Sequence, residues 1–155
     1  MLKEHLARSL ACLVLMALAV LPLPAKASDI RVSAPVVIGD DPGGPVLERA
    51  RQVRALRQSG QDVRIVGAIC NSACTMLLGL PQTCVSPRTI FGFHGPSRGG
   101  QRLDRAQFDR ASHFIAQHYP PSLGRWYMNT ARHRTQGVHK VAGSDLIAMG
   151  VRRCA

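Results

Sequence analysis

Three short segments of this chain carry residue types that together can perform acyl transfer. The segment Asp41–Gly44 reads Asp-Pro-Gly-Gly, Cys70–Cys74 contains Ser72, and Phe91–Pro96 contains His94. A glycine turn offers backbone N–H groups to an anion, a serine hydroxyl is a nucleophile, and an imidazole is a base near neutral pH. The sequence therefore predicts a nucleophilic site with Ser72 and His94 at its centre.

The elements around these segments are expected to bring them together. Apolar residues at helical spacing follow the glycine turn and stop at Gly60, which predicts a helix. The apolar run 63–66 predicts a buried strand before Ser72, and a second predicted strand, 89–93, ends directly at His94. Neighbouring strand ends in an α/β layer share one edge of the sheet. We therefore expect the serine and the histidine to lie close together.

The order Pro-Gly-Gly, helix, strand, serine turn, helix, strand, His-x-Pro resembles the Clp protease proteolytic subunit, within the Clp/crotonase superfamily. Periplasmic Clp-like proteins with a Cys-x-Ser-Ala-Cys signature are the more similar group. The resemblance covers about residues 40–152 and implies an α/β fold, a small β-β-α superhelix with a mostly parallel sheet, shortened on its N-terminal side. It implies Ser72 as the nucleophile and His94 as the general base. The implied backbone donors of the oxyanion hole are Gly43 or Gly44, together with Ala73.

The third member of the family's catalytic triad has no counterpart in this sequence. In the family an Asp orients the histidine from a segment before the last helix, and here that segment, 133–140, contains no carboxylate. No acidic residue occurs between Asp109 and Asp145, and Asp145 is expected at the start of the last helix. A backbone carbonyl or an amide such as Gln136 or Asn129 can orient an imidazole, but loss of the Asp can cost about 10⁴ in rate. We therefore expect weak hydrolysis or none.

The N-terminal region has the features of a secretory signal. Basic residues precede an apolar block at 10–23, and Ala25–Ala27 supplies a small-x-small cleavage pattern. We predict a signal peptide over residues 1–27 and one mature domain over 28–155, periplasmic or secreted. The mature chain is expected to have no transmembrane segment.

The cysteines that remain after cleavage predict disulfides. They are Cys70, Cys74, Cys84 and Cys154. An even number in an exported chain favours two bridges, and all three pairings are open. A zinc site is disfavoured because Cys84 and Cys154 have no histidine at ligand spacing, and a redox pair is disfavoured because no Cys-x-x-Cys is present. We predict no metal and no cofactor.

The charge of the chain bears on its partners. The full sequence has a net charge of +11, and the predicted signal removes three basic residues and one acidic residue, which leaves +9, nearly all of it from arginine. We interpret this as a solvated basic surface, because no aromatic residues interleave with the arginines of the first predicted helix. Nucleic acid is therefore not the expected partner, although charge alone would also suit a binder of nucleic acid or of the cell envelope.

Two main functions compete at the level of sequence. The first is a Clp-like serine hydrolase, peptidase-like, that acts on a peptide or another acyl substrate. The alternative is a non-catalytic Clp-like fold used for binding or assembly, which the missing carboxylate supports. In the family a helical handle mediates contacts between subunits, and the predicted helix 104–119, which Asp104 and Gln107 open much like a capping box, occupies its place. We therefore expect a homo-oligomer, or a partner chain that covers the sheet edge.

Overall fold

The computed structural model describes residues 34–155, so the predicted signal peptide lies outside the described residues. The strands are β1 (Val36–Ile38), β2 (Val63–Ile65), β3 (Ile69–Asn71), β4 (Thr83–Val85), β5 (Ile90–Phe93) and β6 (His139–Ala142). The α-helices are α1 (Val46–Ser59), α2 (Arg105–Ala116), α3 (Pro121–Asn129) and α4 (Gly143–Ala148). Two 3-10 helices cover Ser72–Gly79 and Ala131–His133.

The strands of residues 34–155 form two three-stranded sheets. The first has the order β1-β2-β4, and both of its pairings are parallel. The second has the order β3-β5-β6, in which β3 pairs with β5 in parallel and β5 pairs with β6 antiparallel. The predicted α/β class with mostly parallel pairing is confirmed.

The first helix follows directly from the residue pattern. Ala50, Val53 and Leu56 of α1 are buried on one face, whereas the arginines at positions 51, 54 and 57 are exposed. The helix ends where predicted, because Gly60 adopts φ 66° and its N–H donates to the Leu56 carbonyl over 3.1 Å. A glycine in this conformation is the usual way to end a helix.

The second helix begins with the predicted cap. The Asp104 side chain accepts a hydrogen bond from the N–H of Gln107 over 2.8 Å, which satisfies a donor that has no partner inside the helix. The third helix starts at Pro121, a residue that suits the first turn because its position needs no N–H. Both helix starts agree with the sequence pattern.

The core lies where the 3-10 helix Ser72–Gly79 packs against the strands and helices. The largest fully buried side chains of the core include Tyr127, Phe91, Phe93, Ile65, Met76 and Leu77. Phe91 and Phe93 of β5 are both buried, as two residues on one face of a strand should be. None of the helices between residues 34 and 155 combines the length and apolar character of a membrane span.

Both predicted disulfides are present, and the structure resolves their pairing. Cys70 is bonded to Cys74, and Cys84 of β4 is bonded to Cys154 near the end of the chain. The Cys154 N–H also donates to the Val85 carbonyl, so the last residues lie alongside β4.

One prediction about the path to Ser72 is wrong. The strand that leads to Ser72 is β3, whereas the apolar run 63–66 forms β2 in the other sheet. The chain changes sheets at Gly67, where an added Cβ would overlap the backbone of Gly39. The segment after Ser72 is also a 3-10 helix and not an α-helix.

Candidate active site

The glycine turn lies beside Ser72 because β3 holds both. The Asp41 N–H donates to the Ile69 carbonyl over 3.0 Å, and the Asn71 N–H donates to the Asp41 carbonyl over 2.9 Å. These bonds form a parallel bridge between Asp41 and Cys70. The turn after Asp41 and the serine after Asn71 therefore leave the bridge side by side.

The Asp41 carboxylate fixes the shape of the glycine turn. One oxygen accepts the Gly43 N–H over 2.8 Å, and the other pairs with the Arg49 guanidinium of α1 at 2.5 Å. The side chains of Arg49 and Asp41 are only 12% and 15% exposed. The Gly43 N–H is therefore engaged inside the turn. The Gly44 N–H has no acceptor within residues 34–155 and is the turn donor that remains for an oxyanion.

Gly43 packs directly against Ser72. It adopts φ 109°, and a Cβ added there would lie 2.6 Å from the Ser72 Cβ and 2.9 Å from the Asn71 carbonyl oxygen. Both the conformation and the contact exclude a side chain at this position. This explains in physical terms why a glycine stands there.

Ser72 has an unusual backbone conformation. With φ 54° it is the only non-glycine residue between 34 and 155 in the left-handed region, which costs about 1 to 3 kcal/mol. The Cys70–Cys74 disulfide closes a short loop around Ser72, and both cysteines are fully buried. Such a conformation persists only where the surroundings enforce it, and the buried bridge is part of that constraint.

A chain of hydroxyl groups supports Ser72 from the core. The Thr75 hydroxyl donates to the Ser72 carbonyl over 2.7 Å and lies 2.7 Å from the Tyr119 hydroxyl. Because the threonine proton is used on the carbonyl, the tyrosine must be the donor to Thr75. Desolvation by burial raises the pKa of Tyr119 well above its usual range, so the phenol keeps this proton.

His94 follows β5 directly, and a backbone carbonyl defines its tautomer. Its Nδ1 lies 2.7 Å from the Gly95 carbonyl oxygen. Since a carbonyl can only accept, Nδ1 carries the proton, and Nε2 of the neutral ring is left as an acceptor. The Tyr127 hydroxyl donates to the His94 carbonyl over 3.3 Å, and burial raises the pKa of Tyr127 above its usual range.

The segment 133–140 packs near His94 and contains no carboxylate. The Arg134 carbonyl accepts the Gly95 N–H over 3.0 Å. Asp109 of α2 pairs with Arg132 at 2.8 Å, and Asp145 is exposed in the first turn of α4. Within residues 34–155 the carbonyl of Gly95 is the acceptor that orients the imidazole.

Ser72 and His94 line the same cavity, which has a volume of about 580 Å³. Gly44 and Ala73 line it as well, whereas Gly43 lies behind Ser72 and does not. Within residues 34–155, the side chains of Ser72 and His94 form no hydrogen bond with each other. Catalytic hydrogen bonds are often long before a substrate binds. Four of the five residues predicted for the site therefore line one cavity.

The rest of this cavity is largely apolar. Met76 and Ile115 line its buried part, Val46 and Leu47 of α1 line one side, and Arg98 adds a positive charge. Leu47 is 66% exposed, so the cavity continues into an apolar surface on α1. Such a surface suits an extended substrate with apolar side chains.

Sequence reasoning missed the residues that hold the glycine turn, Ser72 and His94 in position through hydrogen bonds. They are Arg49, Thr75, Tyr119 and Tyr127. Thr75 is three residues after Ser72, a spacing at which a hydroxyl can bond back to a carbonyl. The two tyrosines are far from Ser72 and His94 in sequence, so no local pattern identifies them.

The donor set of residues 34–155 offers no ready metal centre. Nowhere in this range do three His, Cys, Asp or Glu side chains cluster. The four cysteines within this range are all in disulfides and supply no thiolate. No protein-family model, curated protein or solved structure matches the chain.

Proposed function

We propose that the mature chain is an exported serine hydrolase of Clp-like architecture that acts on a peptide or another acyl substrate. The observation that carries the proposal is the shared cavity, in which Ser72, held at a positive φ, and His94 are the reactive side chains. The superhelical arrangement of the Clp/crotonase superfamily is part of the same proposal and rests on the order of the motifs.

The reaction begins with attack of the Ser72 hydroxyl oxygen on the substrate carbonyl. His94 Nε2 accepts the serine proton, since Nδ1–H is bonded to the Gly95 carbonyl. The N–H groups of Gly44 and Ala73 hold the oxyanion, and Ala73 is in the first turn of its helix, where N–H groups lack internal partners. The leaving group takes the proton from His94, and water then releases the acyl group by the same steps.

The rate of this reaction is expected to be low. A carbonyl orients the imidazole but carries no full negative charge to stabilise the imidazolium that forms. This same feature supports the alternative function, a Clp-like fold that binds or assembles without catalysis. The two functions differ in whether the Ser72 hydroxyl reacts.

A fluorophosphonate probe separates the two functions. We expect the probe to label the mature protein and the Ser122→Ala variant, but not Ser72→Ala. Ser122 is a matched control because it is an exposed serine in the first turn of a helix. His94→Ala should lose nearly all labelling, and Asp145→Asn should change it less than about twofold, since Asp145 is exposed on α4. Labelling of Ser72→Ala, or none of the mature protein, would contradict the hydrolase.

Export is the second part of the proposal. Two disulfides fit an oxidising compartment such as the periplasm or the cell exterior. The intact mass of protein exported from a Gram-negative host should correspond to a chain that begins at Ser28 and contains no free thiol. A mass that includes residues 1–27 would exclude the predicted cleavage.

A further inference from the structure

A second cavity, of about 540 Å³, lies on the other side of the His94 loop. It shares Gly95, Pro96 and Ser97 with the cavity of Ser72 and His94. Its permanently charged lining residues are Arg102 and Arg105, and His133 lines it as well. No Asp or Glu is among the residues that line it. The cavity is therefore a concave and positively charged surface.

The two arginines of this cavity have no charge partner in the described chain. Arg49, Arg132 and Arg152 each pair with an aspartate, but neither Arg102 nor Arg105 forms an ion pair within residues 34–155. Asp104 lies between them in sequence, and its carboxylate accepts the Gln107 N–H as the cap of α2. Both guanidinium groups are therefore available to an external anion.

The remaining walls suit a ligand that joins an anionic group to an apolar part. Ser97 and Thr135 contribute hydroxyl groups, and Phe108 and Leu103 contribute apolar surface. The Phe108 ring is held in place because it packs on the backbone of Gly95, where an added Cβ would lie 2.8 Å from a ring carbon. The Arg132 guanidinium lies 5.6 Å from the centre of the same ring.

We propose that this cavity binds a phosphate dianion, either inorganic or as the monoester of a small molecule. Two permanent guanidinium charges match a group that carries a charge of about −1.5 to −2 at neutral pH. Guanidinium forks also match the geometry of phosphate oxygens, and the two hydroxyls and His133 supply further hydrogen bonds. A carboxylate or a phosphodiester carries one charge and satisfies fewer of these donors.

The proposal does not rest on the chemistry of Ser72. The site is tested by calorimetric titration of the mature protein with inorganic phosphate and with phenyl phosphate, at constant ionic strength. Acetate and dimethyl phosphate serve as singly charged comparisons. We expect saturable binding of phosphate, binding of phenyl phosphate that is at least as tight because Phe108 contacts its ring, and much weaker binding of the two monoanions. The Ser72→Ala variant should bind phosphate like the wild type, whatever the outcome of fluorophosphonate labelling.

Matched variants locate the site. Arg102→Gln/Arg105→Gln should weaken phosphate binding by at least about tenfold, because hydrogen bonds to charged groups are lost. The control, Arg51→Gln/Arg54→Gln, removes the same charge from exposed positions on α1 and should bind like the wild type. Circular dichroism checks folding, and amide NMR shifts on phosphate addition should be largest at Gly95, Ser97 and Thr135.

Three results would overturn the proposal. One is the absence of saturable phosphate binding to the folded protein. Another is an equal loss in both double variants, which would show general attraction to a basic chain. The third is binding of acetate or dimethyl phosphate as tight as that of phosphate, which would show a site for single negative charges.

Discussion

The serine and the histidine of the candidate site are held in very different ways. Ser72 is supported by a buried disulfide, a backbone bridge, the Gly43 contact and the hydroxyl chain from Tyr119. His94 has one hydrogen bond from its ring, to the Gly95 carbonyl, and one to its backbone, from Tyr127. We call the first group the serine support and the second the histidine support.

The difference indicates which residue would limit the proposed hydrolysis. A serine held at a positive φ by several independent contacts is preorganised for attack. A histidine oriented by a carbonyl has its proton on the useful nitrogen but gains little stabilisation when it becomes charged. The fold therefore maintains the nucleophile more strictly than the base, and we expect the two supports to respond differently to substitution.

Alkaline pH should disrupt both supports at once. Burial raises the pKa of Tyr119 and Tyr127, so the folded state prefers the protonated phenols. Their contribution to the free energy of unfolding is fully present below the ordinary tyrosine pKa of 10.0 and is lost as the pH rises above it. The absorbance rise of tyrosinate should therefore coincide with loss of far-ultraviolet circular dichroism. These are the only two tyrosines of the chain, so a rise that precedes unfolding would contradict their burial.

Removal of the disulfides should separate stability from reactivity. Cys84→Ala/Cys154→Ala should lower the free energy of unfolding by about 4 kcal/mol, and Cys70→Ala/Cys74→Ala by about 2 kcal/mol, because the first bridge closes a far longer loop. Fluorophosphonate labelling should show the opposite order, since the shorter bridge encloses Ser72. Urea titration and labelling rates measure the two effects. If the variant without the Cys70–Cys74 bridge is labelled at the normal rate, this bridge does not belong to the serine support.

Gly43 and Gly44 form a matched pair within the turn. Gly43→Ala should lower the free energy of unfolding by about 2 kcal/mol and displace Ser72, because it combines backbone strain with a Cβ that overlaps the serine. Gly44→Ala should lower the free energy of unfolding by only about 1 kcal/mol. This loss comes from backbone strain at φ 142°, since an added Cβ would have no atom within 4 Å. Urea titration compares the two. Equal losses would mean that the contact with Ser72 adds nothing to the strain.

The two tyrosines give the finest comparison of the supports. Tyr119→Phe and Tyr127→Phe should each lower the free energy of unfolding by about 1 kcal/mol or less. The loss should be larger at Tyr119, because its hydroxyl lies 2.7 Å from that of Thr75, whereas the Tyr127 hydroxyl lies 3.3 Å from the His94 carbonyl. Fluorophosphonate labelling should fall more in Tyr127→Phe, because fewer contacts remain to hold His94 once this hydrogen bond is lost. A larger labelling loss in Tyr119→Phe would reverse our ranking of the two supports.

The sequence predicted the parts of the fold that local patterns encode. The periodicity of α1, the cap at Asp104 and the even number of cysteines are such patterns, and all three are confirmed. The strand β3 ends in the polar Asn71 and has fewer β-branched residues than the run 63–66, so the sequence pattern identifies β2 and not β3 as the strand before Ser72. The cysteine pairing depends on distances that spacing does not report.

The predictability of the candidate site has the same limit. Ser72 and His94 stood out because each is embedded in a short motif at the end of a predicted element. The contact between Thr75 and Tyr119 spans 44 residues, and no local pattern encodes it. The choice between Gly43 and Gly44 as a donor depends on the bond from Gly43 to Asp41, which only the folded turn reveals.

The rings of Tyr119 and Tyr127 pack edge to face, with their centres 5.3 Å apart. One hydroxyl leads through Thr75 to Ser72, and the other reaches His94. This aromatic pair in the interior thus connects the hydrogen bonds that reach Ser72 and His94. We expect a substitution that shifts either ring to change the distance between these two residues, and with it the rate of the proposed reaction.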